Sequence, residues 1–490
     1  MIAPAPGTAT TPDPANDTGP PEVPLPPTPR SLRLIIAGGL AAVGALAYFG
    51  SAAVAGQPAV AYRVQAGCGI VFFLGLAALA SNSLQSVSRK TLLWGIGLQF
   101  ALAVAVLYSP PVRVVLEAVG SGIKALITAS DKGAEFVFGR LAQPGEMDKV
   151  FGKDQGFVFA FKALPPIIFI SSFFSVLYYL GVLQFFVRLM ARAMMYLMGT
   201  SGAETLSVSA NVFMGQTEAP LIVKPFVPKM TKSELLALMG SGMAHISGGM
   251  MALYISYGAD PVSILCTCVM ACPCSLYLTK LVYPEAGKPV TLGEAPITVE
   301  TPYVNVIDAA AAGVKDGLLL AMNVAAMLIA FIAFIALFDI IIGGIKPGLI
   351  RAGVAEERLN GWPNDLKLET IFGWVFAPVA FLMGVEPAEC DKVGSLLGIK
   401  LAANEHVAYL KLKDWNTTGS VVLSERSRLL AVYALTGFAN FASVGIQLGG
   451  IGAMAPGRRA DLAKLGMKAL FVGFLATLIN AAVAGMLMKA

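Results

Sequence analysis

A chain of 490 residues that is 56% hydrophobic and only 13% charged, with a mean hydropathy of +0.72, is a polytopic membrane protein and not a soluble globular domain. Its formal net charge of +5, scattered over short loops, excludes nucleic acid as a partner and suits loop ends that set membrane orientation. The lipid bilayer is the first partner the composition implies.

Met1 to Pro29 is rich in Pro, Thr, Ala and Asp and lacks both a basic start and an apolar core, so residues 1–30 read as a disordered tail rather than a signal peptide. Three apolar runs close to spanning length follow, Leu34 to Gly56, Val64 to Ala80 and Leu92 to Leu107. Arg30 and Arg33 fall on the same side as Arg89 and Lys90, which by the positive-inside rule puts the N-terminus in the cytoplasm. From Pro110 to Gln143 apolar residues recur at helical spacing between Arg113, Glu117, Lys124, Asp131, Lys132 and Glu135. That is the pattern of an amphipathic helix or two, lying at the interface or against a neighbouring subunit. The stretch GEMDKVFGKDQG reads as a polar break closing a first region, residues 31–156. Phe157 to Leu183 is again apolar, and Pro165 and Pro166 within it predict a kinked membrane element.

Ser209 to Pro220, SANVFMGQTEAP, sets an amide, a hydroxyl and a carboxylate side by side in a chain otherwise suited to lipid. A carboxylate such as Glu218 costs about 2.5–3.5 kcal/mol at a helix centre even on a lenient insertion scale, so it is expected to line a cavity. Gly215 and Pro220 bracket Gln216, Thr217 and Glu218, and two helix breakers predict a hairpin tip; an ordinary extramembrane loop has the same composition. A basic loop, PKMTKSE, comes next, and then an apolar run from Met239 to Gly258 broken by glycine and His245. The same order returns with NEHVAY (Asn404 to Tyr409), a polar loop from Asn416 to Arg428, and the interrupted apolar run Ala434 to Gly452. Paired broken segments of this kind point to a transporter site formed at the midplane between structural repeats, read here as residues 157–300 and 371–490. Between them, residues 301–370 contain a long helix from Asn305 to Ile342; Ile371 to Met383 is a further apolar element and Leu465 to Leu487 the last span. Cys266, Cys268, Cys272 and Cys274, spaced as CTCVMACPC, fit no zinc or redox pattern and read as small buried thiols without a disulfide framework.

The stretches ANVFMGQTEAPL, NEHVAYL, LSERSR and GFANFASVGIQLGG, in this order and at these separations, resemble the concentrative nucleoside transporter family. The match runs from about Leu92 to the C-terminus, leaves out the proline-rich tail, and is similar to the shorter bacterial-type members. The resemblance implies an all-α polytopic homotrimer in the cytoplasmic (inner) membrane. Each protomer would have eight transmembrane helices, two re-entrant hairpins and interfacial helices, with an inverted-repeat transport domain moving against a trimerisation scaffold as a cation gradient drives nucleoside inward. It further implies that Gly215, Gln216, Thr217 and Glu218 meet the nucleobase, helped by Met250. Glu405, Asn440 and Ser443 would meet the ribose, and Phe438 would supply an apolar contact. The residue chemistry agrees, because Gln216 and Thr217 offer donors and acceptors to one base edge and a carboxylate such as Glu405 accepts from ribose hydroxyls. Gly215 leaves room for purines as well as pyrimidines.

Family sodium sites resemble a cage of the Asn211 side chain, the Met214 carbonyl, a serine or threonine hydroxyl and a backbone carbonyl; the last two positions here are His245 and Ile246. Hard cations prefer oxygen ligands, whereas imidazole itself carries a proton near neutral pH. His245 therefore turns the expectation toward H+ as the coupling ion, with Na+ at Asn211, Met214, His245 and Ile246 as the other possibility. A hydrogen-bonded polar residue in a helix break is the second reading of His245. His406 stands beside Glu405 where the family has an aromatic. No Ser-His-Asp arrangement, P-loop or metal-ligand spacing points to an enzyme, and a co-transported ion stands in place of any cofactor. The alternatives are a membrane-embedded hydrolase or transferase using Glu218 and Glu405 as acid and base, and an ion channel lined by them.

Overall fold

The computed structural model describes residues 19–152, 156–293, 303–355 and 366–488, and among these the regular elements are helical. Three apolar helices come first, α1 (Arg30–Ala53), α2 (Pro58–Leu79) and α3 (Arg89–Tyr108). The starts of α1 and α3 lie at one end of the fold, since Arg33 donates to the Ser81 carbonyl between α2 and α3 at 3.2 Å. Residues 19–29, expected to belong to a disordered tail, run instead as an extended strap. Val23 N–H donates to Ala286 O, and Thr28 Oγ1 donates to Ser81 O and accepts from Leu84 N–H. Proline-rich composition disfavours helix but not an extended segment fastened at two points. Residues 1–18 lie outside the described residues.

The amphipathic stretch forms one helix, α4 (Pro110–Phe138), opened by prolines whose missing N–H costs nothing in a first turn. The expected polar break contains a short helix, α5 (Pro144–Phe151), again with proline at its start; residues 153–155 of that stretch lie outside the described residues. The kink near Pro165 is a break at Ala163 between α6 (Phe159–Lys162) and α7 (Leu164–Tyr179), with both prolines in the first turn of α7. Helix α8 (Val182–Met198) is bounded by Gly181 and Gly199, both left-handed at φ 79° and 71°.

Two segments then share one order. The first is α9 (Gly202–Ala210), a turn at 211–218, a 3-10 helix (Ala219–Lys229), α10 (Lys232–Ala244), α11 (Gly248–Ser256) and α12 (Pro261–Val282). After α13 (Val306–Arg351) and α14 (Leu368–Leu382) comes the second: α15 (Cys390–Ala402), α16 (Glu405–Thr418), α17 (Glu425–Leu435), α18 (Phe441–Met454) and α19 (Arg459–Leu487). Among the described residues, eight helical spans are long and apolar enough to cross a membrane, Lys232–Ser256 among them as a broken pair. Capping boxes start α9 (Ser201 with Glu204) and α10 (Thr231 with Glu234), and buried Lys280 neutralises that end at 2.8 Å from Glu204 and 3.0 Å from Glu285.

The long helix α13 extends beyond the expected Ile342 and, at 46 residues, spans about 69 Å. Its buried positions include Ala309, Gly313, Gly317 and Ala321, one per turn on a single stripe. The stripe lies on α7 so closely that a Cβ on Gly313 would stand 2.6 Å from Ser172 Cα, and one on Gly317 2.7 Å from Ile168 Cα. Apart from that stripe α13 is mostly uncovered, while α10, α12 and α19 form the buried core.

Candidate functional site

Breaks in four helices build the site. In the first segment the chain leaves α9 at Asn211 and turns back through Gly215, where Glu218 Oε2 accepts the Gly215 N–H at 3.0 Å and Glu218 N–H returns to Gly215 O at 3.0 Å. Helix α10 stops at extended His245, and Ser247 caps α11 through Met250 N–H. In the second segment Asn404 caps α16, accepting from Val407 N–H at 2.9 Å, and thereby sets Glu405 at the first helical position. Asn440 does the same for α18, accepting from Ser443 N–H at 2.9 Å. Asn is a favoured N-cap, so these motif residues fix the local fold as well as facing the cavity.

The two segments meet through side chains. Gln216 donates to Ser443 Oγ at 3.2 Å and accepts from Gln447 Nε2 at 3.2 Å, and Gln447 also donates to the Met239 carbonyl at 2.9 Å. Glu405 accepts from Tyr254 Oη at 2.8 Å and from Asn440 Nδ2 at 3.0 Å. His406 meets Tyr257 Oη at 3.4 Å and lies edge-on to Phe159. A cavity of about 600 Å³ opens between them. Gly215, Gln216, Thr217, Glu218, Met250, Glu405, Phe438, Asn440 and Ser443 all line it. An ionised carboxylate has about four lone-pair sites, so Glu405 keeps acceptor capacity for a ligand's hydroxyls after its two protein donors.

Sequence reasoning missed the wall supplied by α13, which contributes Asp316, Leu320 and Asn323. The signal was present: two polar side chains seven residues apart on one face of a largely apolar helix. It also missed Tyr254 and Gln447, which hold Glu405 and Gln216 in place.

At the proposed cation position, Asn211 Nδ2 donates to Ser207 O at 3.2 Å and to Ser241 Oγ at 3.0 Å, and its Oδ1 is buried without a partner. A carbonyl only accepts, so the contact with Ser207 O fixes which way the amide faces. His245 reaches the same residue differently, with Nδ1 2.7 Å from Ser241 O, while Nε2 is 3.3 Å from Cys272 Sγ. The His245 carbonyl accepts from Phe438 N–H at 3.1 Å, joining the two helix breaks. Met214 is half-buried and Ile246 fully buried beside them. The cysteines of α12 are buried free thiols, and no group of three or more His, Cys, Asp or Glu positioned to hold a metal occurs among the described residues.

Comparison with known proteins agrees with this geometry along most of the chain. Family models described as Na+ dependent nucleoside transporter N-terminus and C-terminus match residues 68–141 and 263–485, and a nucleoside recognition (gate) model matches 160–261. An uncharacterized transporter of Haemophilus influenzae is 39% identical over 422 residues, covering 85% of this chain and 96% of its own. Sodium/nucleoside cotransporter 1 of Mus musculus is 38% identical over 439 residues, 86% of this chain but 63% of the longer mouse protein. The structure of CNTnw in an inward-facing substrate-bound state superposes with a TM-score of 0.79 at 36% identity, covering 87% of this chain and 97% of that one. A CNTnw variant in an outward-facing state gives 0.80 at 37% identity, with coverage of 87% and 97%. Family and relatives are transporters, not enzymes, and the ion in the family description is a co-transported one rather than a bound cofactor. A helical membrane protein with this sequence and this architecture belongs to the Na+-dependent, concentrative nucleoside transporter family.

Proposed function

We propose that the protein is a cation-coupled symporter that imports nucleosides across the cytoplasmic (inner) membrane by alternating access, as a homotrimer. The observation that carries this reading is the convergence of nine residues from two similarly ordered segments on one cavity of about 600 Å³, a size within the ordinary range for small-molecule sites. Ribose hydroxyls meet Glu405, Asn440 and Ser443. The base meets Gln216, Thr217 and Glu218, with Gly215 leaving space and Met250 and Phe438 covering the apolar faces.

Sodium is the coupling ion that the geometry favours. Asn211 Oδ1 is a buried acceptor without a donor, and an oxygen in that condition suits a hard cation; the main-chain carbonyls of Met214 and Ile246 complete the oxygen set in this reading. His245 supports protons less well than its residue type suggests. With Nδ1–H donating to Ser241 O and Nε2 facing the Cys272 thiol, a neutral ring has both hydrogen bonds made in a sealed core. Proton coupling remains the second reading because an imidazole stands where the family has a hydroxyl. Uptake of labelled uridine and adenosine into proteoliposomes under imposed Na+ or H+ gradients separates them. The expected result is uptake driven by inward Na+ and insensitive to protonophore. Uptake driven by an inward proton gradient in sodium-free buffer overturns the sodium assignment, and uptake unaffected by either gradient overturns symport.

A further inference from the structure

A second cavity of about 690 Å³ adjoins the first, and five residues line both: Glu218, Leu221, Ser247, Asp316 and Leu320. The shared residues mark one end of the substrate cavity. Glu405, Asn440 and Phe438 line the first cavity and not the second. A nucleoside with its ribose on Glu405 and its base on Gln216, Thr217 and Glu218 brings the base to the part of the cavity where Asp316 lines both spaces together with Glu218. This placement rests on the nucleoside reading given above.

The two carboxylates at that end are unequal in origin and alike in chemistry. Glu218 belongs to the turn after α9 and commits Oε2 to the Gly215 N–H at 3.0 Å. Asp316 projects from α13, on the facing wall, and makes no ion pair or hydrogen bond among the described residues. Ionised carboxylates only accept hydrogen bonds. A base edge facing two acceptors is satisfied by an exocyclic amino group, which brings two N–H donors, and is opposed by a carbonyl oxygen at the same ring position. Cytosine and adenine carry the amino group; uracil carries the carbonyl. We propose that Asp316 is a specificity-determining residue that, with Glu218, selects nucleosides bearing an exocyclic amino group on the base edge over those bearing a carbonyl there.

Cytidine and uridine share a sugar and differ at that position, so their ratio isolates the effect. The experiment is competition of each against labelled adenosine on purified protein in sodium buffer, for the unmodified chain, Asp316→Asn and Asp316→Ala. The unmodified protein is expected to prefer cytidine by roughly 10-fold, the scale of one hydrogen bond to a charged group. Both variants are expected to bring the ratio near one, with Asp316→Asn improving uridine because an amide also donates. Asp316 has no protein partner to lose, so both variants should retain the unmodified melting temperature. A ratio near one in the unmodified protein, a ratio unchanged by both substitutions, or a preference for uridine overturns the assignment to Asp316 while leaving nucleoside transport intact. Absence of saturable adenosine binding to the unmodified protein overturns the nucleoside reading itself.

Discussion

Glu405 carries the most at the scale of single residues. Its carboxylate is almost fully buried and already accepts from Tyr254 and Asn440, so in the proposed reading the ribose hydroxyls would complete a set that the protein has begun. Hydrogen bonds to a charged group contribute about 1.5–3 kcal/mol and neutral ones about 0.5–1.5. Glu405→Gln is accordingly expected to weaken uridine binding about 10- to 150-fold, and Gln216→Ala by a smaller factor, in calorimetry on purified protein. Unchanged affinity in Glu405→Gln would remove the ribose from that position. Gly215, Gln216, Thr217, Glu218 and Glu405 were legible in the sequence because polar groups there interrupt an apolar chain, whereas Met250, Phe438, Asn440 and Ser443 were named only through the family resemblance. Asp316 and Asn323 were not legible, because a long apolar run reads as one lipid-facing helix and its polar pair is diluted by length. Tyr254 was hidden for a different reason: a tyrosine in an apolar run is indistinguishable from core until its hydroxyl is seen on Glu405.

Among the elements, the breaks between α10 and α11 and between α17 and α18 were readable from glycine, histidine and asparagine placed inside apolar runs. Helix α8 escaped notice because no site motif drew attention to it, and α5 because its charged residues mask a one-sided helix anchored by Met147. The pairing of α7 with α13 was not legible either, although its cause is in the sequence: small residues every fourth position, whose meaning depends on which helix they face. Gly317→Leu places a branched side chain where even a Cβ would stand 2.7 Å from Ile168 Cα. Overpacking of this kind costs about 1–3 kcal/mol, and a lowered melting temperature in detergent, with Gly343→Leu as a control where a Cβ meets nothing, is the measurement. Equal melting temperatures for the two variants would mean that the helices are not in backbone contact.

For the molecule as a whole, the strap at residues 19–29 ties the start of α1 to the start of α10. Glu22 accepts the Lys232 N–H at 2.7 Å and pairs with its ammonium at 3.3 Å, which satisfies a first-turn donor that the capping box of Thr231 and Glu234 leaves open. Glu22→Ala is expected to lower stability by about 1 kcal/mol, the usual scale for losing a cap, read as a reduced thermal midpoint with nucleoside affinity unchanged. A loss of affinity instead would connect the strap to the cavity. Composition concealed the strap, since a proline-rich segment is read as solvated until its few anchoring atoms are located. The seam between α7 and α13 bears on movement. Two helices in backbone contact move together, so in the proposed alternating-access cycle Asp316 and Asn323 would keep their places relative to α7, and a change in cavity width would come from displacement between this pair and the turn that carries Glu218. In that cycle the gap between the two carboxylates would work as a caliper with one jaw on α13 and the other on the turn: a base long enough to touch both would register how far they have moved apart.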